Sequence, residues 1–317
     1  MAGCSYSDNI SQELYKISSY MENSPDSALT ALQKIDVTTL DTKELKARHS
    51  LLLSIALDKN YIDKTEFTVL QPAIEYYENN GSIDEKMRMY YYRGRIFSNI
   101  GNEEKAMENY VKGLEIGRNS VDYPTKARLL FAKGQIHQNL YDYESYINSM
   151  MESATYFKKC NIAYSYFHAL RNVVNGYTLM RDSLMANHYL EILSQTTDTG
   201  NTGYYTKFVE TKIAVISAFN SNDNYSHIIN EYLNSTPQRH VSWLTLANYY
   251  LKQGEYHLGL NAIAKYNQYS NSKSERYYSI SSELNEKAGN IANALYDYKM
   301  YIKLTDSIDM AIFKHDT

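Results

Sequence analysis

Apolar positions along the chain recur at the spacing of α-helices that pack in pairs. Residues 243–250 place large side chains three or four positions apart, beginning at Trp243, and a second apolar run follows Gly254 through Gly259 and Ile263. A period near 3.6 residues is typical of a helix with one buried face. A pair of the same kind runs through Tyr90, Gly94, Phe97, Gly101, Ala106 and Tyr110.

Weaker copies of this pattern fill the rest of the chain. Equivalent second-helix positions are Ala28, Ala73, Ala106, Tyr146, Leu184, Ile228, Gly259 and Ala294. They lie between 31 and 45 residues apart, around the 34-residue period of tetratricopeptide (TPR) repeats. The spacing predicts about eight helix-turn-helix units, which amounts to some sixteen helices.

The number and positions of the prolines are those expected of an all-helical chain. There are only four prolines, and each lies where a helix is expected to begin. No long alternation of β-branched residues predicts a strand. The sequence therefore predicts an all-α fold, a TPR-like right-handed superhelix of about eight helix-turn-helix repeats.

The same pattern sets the expected domain organisation. Residues 1–8 are expected to form a flexible N-terminal tether, and residues 9–305 the repeat array. The Gly- and Thr-rich stretch 196–203 is either a hinge within the array or a connection between two helices. Residues 306–317 are expected to start a further C-terminal helix that the natural chain continues.

Composition excludes one class of partner. The chain is 44% hydrophobic and carries a net charge of −4, so it can bury a core but has no basic surface. Without a run of Lys and Arg, binding of nucleic acid through this segment has no electrostatic support. The 33 tyrosines suit half-buried positions, because the ring packs while the hydroxyl stays hydrated.

The N-terminal third resembles a particular group of repeat proteins. The runs at residues 25–29, 51–63, 73–78 and 90–96, the last reading Tyr-Tyr-Tyr-Arg-Gly-Arg-Ile, resemble TPR proteins abundant in Bacteroides-type bacteria. That resemblance covers about residues 20–120. It implies a lipoprotein-like or secretory signal and, in many members, a transmembrane helix and a cytoplasmic regulator domain after the repeats.

Cys4 fits the lipoprotein interpretation. It follows Ala2 and Gly3, and small residues before a cysteine are typical of the end of a bacterial lipoprotein signal. Lipidation at Cys4 is one interpretation, and an uninformative flexible N-terminus is the other. Together with the resemblance, lipidation at Cys4 predicts an extracytoplasmic, membrane-anchored protein in the periplasm or outer membrane of a Gram-negative bacterium. The tether is the N-terminal lipid, a C-terminal transmembrane helix beyond this segment, or both.

No catalytic pattern is present in the sequence. It contains no Gly-rich phosphate loop, no nucleophile elbow and no helical His pair with an intervening Glu, which are the signatures of phosphate, acyl-transfer and zinc chemistry. The prediction is a protein that is not an enzyme and has no cofactor and no metal site.

Binding is expected in the concave groove that the first helix of each pair lines in stacked repeats. The polar side chains predicted to face it are Arg88, Tyr91, Arg95, Asn99, Arg128, Gln135, Gln138 and Asn139. Arg88 with Arg128 and Asn99 with Asn139 recur between adjacent units. Arg pairs with carboxylates and Asn bonds a peptide backbone, although such residues also occur as ordinary solvated side chains.

Two functions fit these observations. One is a protein or peptide segment bound in the groove, with the chain acting as a scaffold or as the sensor part of a signalling protein. The alternative is a lipoprotein that binds a small molecule or glycan in the groove, with tyrosines as stacking surfaces.

Overall fold

The protein is all-helical in the part of the chain that is described. A computed structural model describes the backbone of residues 2–197, 202–219 and 225–316, and side chains over residues 9–197, 203–219 and 225–306. These residues form sixteen α-helices and two short 3-10 helices and contain no strand. The α-helices are α1 (Ala2–Tyr20), α2 (Pro25–Lys34), α3 (Lys43–Lys59), α4 (Gln71–Tyr77), α5 (Ile83–Asn99), α6 (Glu103–Ile116), α7 (Tyr123–Asn139), α8 (Tyr143–Lys159), α9 (Ala163–Leu179), α10 (Ser183–Gln195), α11 (Thr202–Phe219), α12 (Ser226–Ser235), α13 (Trp243–Lys252), α14 (Tyr256–Tyr269), α15 (Glu275–Lys287) and α16 (Ile291–Asp316).

Helices follow one another as pairs, with the odd-numbered helix first and the even-numbered helix second. Pro25, Pro72 and Pro124 lie at the first or second position of α2, α4 and α7, where a missing N–H costs nothing. Pro237 instead precedes the 3-10 helix Gln238–His240. The all-α, TPR-like repeat fold predicted from the sequence is thereby confirmed at the level of its elements.

Close approach of neighbouring helices depends on glycine at particular positions. A Cβ on Gly94 of α5 would lie 2.4 Å from Cε1 of Tyr110 on α6, and Tyr110 is only 1% exposed. A Cβ on Gly259 of α14 would lie 2.4 Å from Cδ2 of Leu284 on α15. These glycines let a large side chain of the neighbouring helix pack directly on the backbone.

Many turns between helices use the left-handed backbone conformation. Glycine supplies it at Gly101 and Gly254, but Tyr61, Tyr141 and Arg181 adopt it at φ 59°, 58° and 62°. Such φ values strain a residue that carries a Cβ. Tyr61 is the clearest case, because its side chain is 94% exposed and gains little packing in return.

Replacing Tyr61 by asparagine is therefore expected to raise the free energy of unfolding by about 0.5–1 kcal/mol, since Asn tolerates this conformation better than Tyr. Urea unfolding of the two proteins measures the difference. Tyr61→Ala is the control, because it removes the ring without improving the backbone preference. An equal gain in both variants would show that the ring, and not the φ angle, was unfavourable.

The chain divides into two compact units. Unit 1 comprises residues 1–139 and 148–163, and unit 2 comprises residues 140–147 and 164–317. The boundaries thus fall at the end of α7, within α8 and at the start of α9, away from the stretch 196–203 for which a hinge was one interpretation. Residues 198–201 of that stretch lie outside the described part, so the hinge stays a prediction.

The two ends of the chain are helical. Residues 2–8, expected to be a tether, lie within the bounds of α1, and the side chain of Cys4 lies outside those described. Residues 306–316, expected to begin a separate helix, instead continue α16. Over the described residues, the protein has no helix with the length and apolar character required to span a bilayer.

Candidate functional site

The eight predicted groove residues lie on two first helices of unit 1. Arg88, Tyr91, Arg95 and Asn99 belong to α5, and Arg128, Gln135, Gln138 and Asn139 belong to α7. The structure shows that most of these side chains already contact other parts of the protein.

The recurring asparagines hold the connections of preceding pairs. Asn99 donates its Nδ2 to the carbonyl oxygen of Lys64, at 3.0 Å, in the connection between α3 and α4. Asn139 donates its Nδ2 to Oε1 of Glu103, at 2.6 Å, just after the turn between α5 and α6. Both asparagines end a first helix and both reach back by one repeat. This shared structural role explains why they recur.

The three predicted arginines are paired with carboxylates of unit 1. The Nη2 atom of Arg88 lies 2.7 Å from Asp122, and that of Arg128 lies 3.2 Å from Glu22. Arg95 lies 3.0 Å from Asp58 and 3.1 Å from Asp63. In each case the protein itself supplies the carboxylate that the sequence had assigned to a ligand.

Arg95 and Asn99 both bind the connection between α3 and α4. They contact residues 63 and 64, which also border a cleft of about 360 Å³ next to α5. This is the mode expected for an external peptide, in which Arg pairs with a carboxylate and Asn bonds the backbone. In unit 1 that mode is applied to the connection between α3 and α4.

The remaining predicted residues offer little free surface. Tyr91 is only 7% exposed and packs edge-on against Tyr92, with ring centroids 4.9 Å apart. Burial raises the pKa of Tyr91 to about 12, so the ring is a core residue and not a groove-facing platform. Gln135 Nε2 lies 3.4 Å from Gln138 Oε1, and both side chains are half-buried.

Unit 2 contains a cleft that is wider and more polar than the one next to α5. It has an empty volume of about 730 Å³ and lies on the four first helices α9, α11, α13 and α15 with the residue before α13. The polar lining residues are Arg171, Asn172, Asn175, Thr178, Glu210, Thr211, Ser242, Thr245 and Arg276, and Val174, Ala214 and Val215 are the apolar ones. This is the kind of surface that the repeat pattern predicted, with different residues from those named.

The cleft is held in shape by hydrogen bonds behind its lining. Tyr232 donates its hydroxyl to Glu210 at 3.0 Å and accepts the backbone N–H of Ser242 at 2.8 Å. Tyr146 donates its hydroxyl to Oδ1 of Asn172 at 2.8 Å. These bonds fix α9, α11 and the start of α13, so the cleft is formed before any ligand binds.

A histidine lies beside the cleft. Burial, reinforced by the positive charges of Arg171 and Lys207, lowers the pKa of His168 from 6.5 to about 4. Its ring packs on Tyr164 with centroids 4.3 Å apart. His168 is therefore neutral at pH 7 and adds no charge to this part of unit 2.

This pKa shift predicts a specific dependence of stability on pH. Because the folded-state pKa lies below the unfolded value, protonation favours the unfolded chain, so the contribution is complete above pH 6.5 and is lost as the pH falls towards 4. The wild type should lose about 2 kcal/mol more than His168→Gln between pH 7.5 and pH 4. Urea unfolding at several pH values measures it, and parallel curves for the two proteins would contradict it.

None of the residues that line this cleft is among the eight predicted from the sequence. Arg171, Glu210 and Arg276 share a position on first helices, and this shared position is the signal by which the repeat pattern could have found them. On α9 the polar face lies next to a packed glycine. A Cβ on that residue, Gly176, would lie 2.4 Å from Ile147.

Nowhere among the described residues do three His, Cys, Asp or Glu side chains cluster as a metal site would require. The cleft on α9, α11, α13 and α15 has no aromatic lining residue on which a ligand could stack. Tyr177 of α9 is stacked on Tyr189, with ring centroids 5.4 Å apart.

Comparisons with known proteins bear on the fold. No protein-family model matches the sequence, and no curated protein matches it. A solved structure described as a Rap protein complexed with competence and sporulation factor is similar, with a TM-score of 0.60 and 13% sequence identity over 96% of this chain and 99% of that one. At this identity the likeness concerns the fold alone, and it confirms the TPR-like helical-repeat class.

Proposed function

We propose that this protein is a non-catalytic binding module that holds a protein or peptide segment in the cleft of unit 2. The observation that supports it best is the cleft itself, which is polar, about 730 Å³ in volume and lined by four successive first helices. The similar Rap structure contains a bound factor, which supports a binding role for this fold.

The lining suits an extended peptide. Such a peptide presents N–H and C=O groups along its whole length, and these groups need partners once water is removed. Asn175 supplies an amide group. Thr178 and Thr211 donate their hydroxyls to the carbonyl oxygens of Val174 and Lys207, and their hydroxyl oxygens can still accept an N–H of the peptide. Thr245, which is paired with Ser242, adds a third hydroxyl oxygen. Of the three apolar lining residues, Val174 and Val215 are buried, at 0% and 4% exposure, and Ala214 is the half-buried one that a ligand side chain can contact.

A peptide selection tests this function directly. A displayed library of random peptides of about 12 residues, long enough to cross several helices, is selected on the full chain, and enriched peptides are titrated by fluorescence anisotropy. Ala214→Trp fills the cleft and is expected to weaken binding at least about tenfold. Ala292→Trp, on the exposed surface of α16, is the matched control and should bind as the wild type does.

The alternatives give different outcomes in the same experiment. Failure to enrich any peptide would reject the proposal, and a hit on a glycan array would then favour the alternative ligand class. If Arg88→Ala, Arg95→Ala and Arg128→Ala weakened binding while Ala214→Trp did not, the eight residues first predicted in unit 1 would be the binding surface.

We further propose that the module acts outside the cytoplasm, anchored through a lipid on Cys4, as a scaffold or as the sensor part of a signalling protein. The support is the Ala2-Gly3-Cys4 sequence and the resemblance of the N-terminal third to Bacteroides-type proteins. In the native organism, metabolic labelling with an alkyne fatty acid should mark the wild type and leave Cys4→Ala unlabelled. Equal labelling of the wild type and Cys4→Ala, or labelling of neither protein, would contradict the proposal that a lipid on Cys4 anchors the protein.

A further inference from the structure

The arginines of α5 and α7 in unit 1 differ from those of the unit 2 cleft in what balances their charge. In unit 1, Arg88, Arg93, Arg95 and Arg128 each lie within 3.2 Å of a carboxylate oxygen. In unit 2, Arg171 and Arg276 line the cleft, and among the described residues neither forms an ion pair. The cleft therefore presents two cations that the protein does not neutralise.

The one carboxylate of the cleft is already compensated. Glu210 is buried, with an 8% exposed side chain, and its Oε2 lies 2.9 Å from Nζ of Lys207. It also accepts the hydroxyl of Tyr232 at 3.0 Å. Because its charge and its hydrogen bonds are directed to these two partners, Glu210 does not offset Arg171 or Arg276.

Arg171 has one close polar neighbour, and it is not an acid. The Nη1 atom of Arg171 lies 3.5 Å from Nδ1 of His168, at the outer limit of a hydrogen bond. A neutral imidazole leaves the guanidinium charge in place. Most of the five donors of Arg171 are thus available on the cleft side.

Arg276 lies on α15, across the cleft from α9. Its side chain is exposed, and loss of hydration next to the protein lowers the pKa of its guanidinium, against a smaller opposing effect of Glu275. An exposed cation that forms no ion pair among the described residues is open to an incoming anion.

We propose that the unit 2 cleft selects an acidic peptide segment, whose carboxylates pair with Arg171 and Arg276 while Asn175, Thr178 and Thr245 bond its backbone. This inference rests on the proposed function and adds the charge of the ligand. A nucleic acid would fit less well, because its phosphates need a longer track of cations and its bases need aromatic stacking surfaces, and the cleft provides two cations and no aromatic ring.

The test uses the full chain and defined probes. Peptides enriched from the random library are scored for Asp and Glu content, and fluorescein-labelled deca-glutamate, deca-lysine and oligothymidylate are titrated by anisotropy. Each of Arg171→Gln and Arg276→Gln is expected to weaken binding of the acidic peptides about tenfold, as loss of a charge-assisted pair does. The charge-reversed pair R171E/R276E should weaken it by about a hundredfold or more.

A matched control separates the site from net charge. The variant K287E/K299E changes the net charge by the same amount at two exposed lysines of α15 and α16 that do not line the cleft. Its affinity should stay within about threefold of the wild type, because exposed charges away from the ligand are screened. If R171E/R276E does not fold, the two Gln variants, which keep size and hydrogen bonding, decide the question.

The outcomes separate the inference from the function on which it rests. If no peptide is enriched, the proposed function fails. If peptides are enriched and blocked by Ala214→Trp, but are not acidic or lose no affinity in Arg171→Gln and Arg276→Gln, the function stands and the charge preference is overturned. Preferred binding of oligothymidylate, or equal losses in R171E/R276E and K287E/K299E, overturns the charge preference as well.

Discussion

Replacing Asp122 by alanine is expected to lower the free energy of unfolding by about 2–4 kcal/mol, because the change removes a helix cap together with a charged hydrogen-bond acceptor. The Asp122 side chain is 6% exposed and lies 2.7 Å from Nη2 of Arg88. It also accepts the backbone N–H of Thr125 at 3.2 Å and the Thr125 hydroxyl at 2.8 Å, at the start of α7. Thr125 is buried and would be left without these partners.

Chemical denaturation of Asp122→Ala, Arg88→Ala and the double variant measures the effect. The Arg88 side chain is 42% exposed, so water can solvate it when Asp122 is absent, and the two single losses should not add. Asp122→Asn is the control, because it keeps a cap while removing the charge, and it should cost less than alanine. A loss below about 1 kcal/mol in Asp122→Ala would mean that the buried network is not a determinant of stability.

Replacing Gly94 by valine is expected to cost about 2–3 kcal/mol, the range of overpacking in a filled core. Its Cβ would lie 2.4 Å from Cε1 and 2.7 Å from Cδ1 of Tyr110. Tyr110 is 1% exposed, and the ring of Tyr91 lies against it with centroids 6.3 Å apart. Either α5 and α6 separate or the Tyr110 ring leaves its place, and both responses lose packing.

Urea unfolding of Gly94→Val is compared with Glu108→Val, on an exposed position of α6. That control carries the helix cost of a β-branched residue, about 0.5 kcal/mol, without the collision. In a Tyr110→Ala background, Gly94→Val should cost much less, because the ring it would meet is gone. Equal costs in the two backgrounds would show that Gly94 matters for a reason other than contact with Tyr110.

The fold could be predicted from the sequence because each repeat packs its helices in the same way, so the same pattern of large and small residues occurs many times. Large side chains at Trp243, Tyr90 and Tyr110 and small residues at Gly94 and Gly259 recur with the helix period, and each copy supports the others. Proline positions added the helix starts. One irregular copy does not obscure such a signal, because the pattern is a sum over units.

The site residues were harder to predict from the sequence than the fold, and Asn99 and Asn139 show why. Their recurrence indicated a function shared between units, and the shared function is to hold the connection of the preceding pair. A polar residue on the exposed face of a helix has the same pattern whether it binds a ligand or a neighbouring turn. Only the interatomic distances in the folded protein distinguish a residue that binds a ligand from one that binds a neighbouring turn.

The sequence by itself determined the class of fold and the pairing of helices. These follow from local periodicity and from residue size, which are properties of neighbouring positions. The tertiary structure decided which cations are neutralised, pairing Arg88 and Arg128 with carboxylates of unit 1 and leaving Arg171 and Arg276 in the unit 2 cleft. Ion pairs join residues far apart in the chain, as Arg128 and Glu22 are, 106 positions apart, and no local pattern encodes such a meeting.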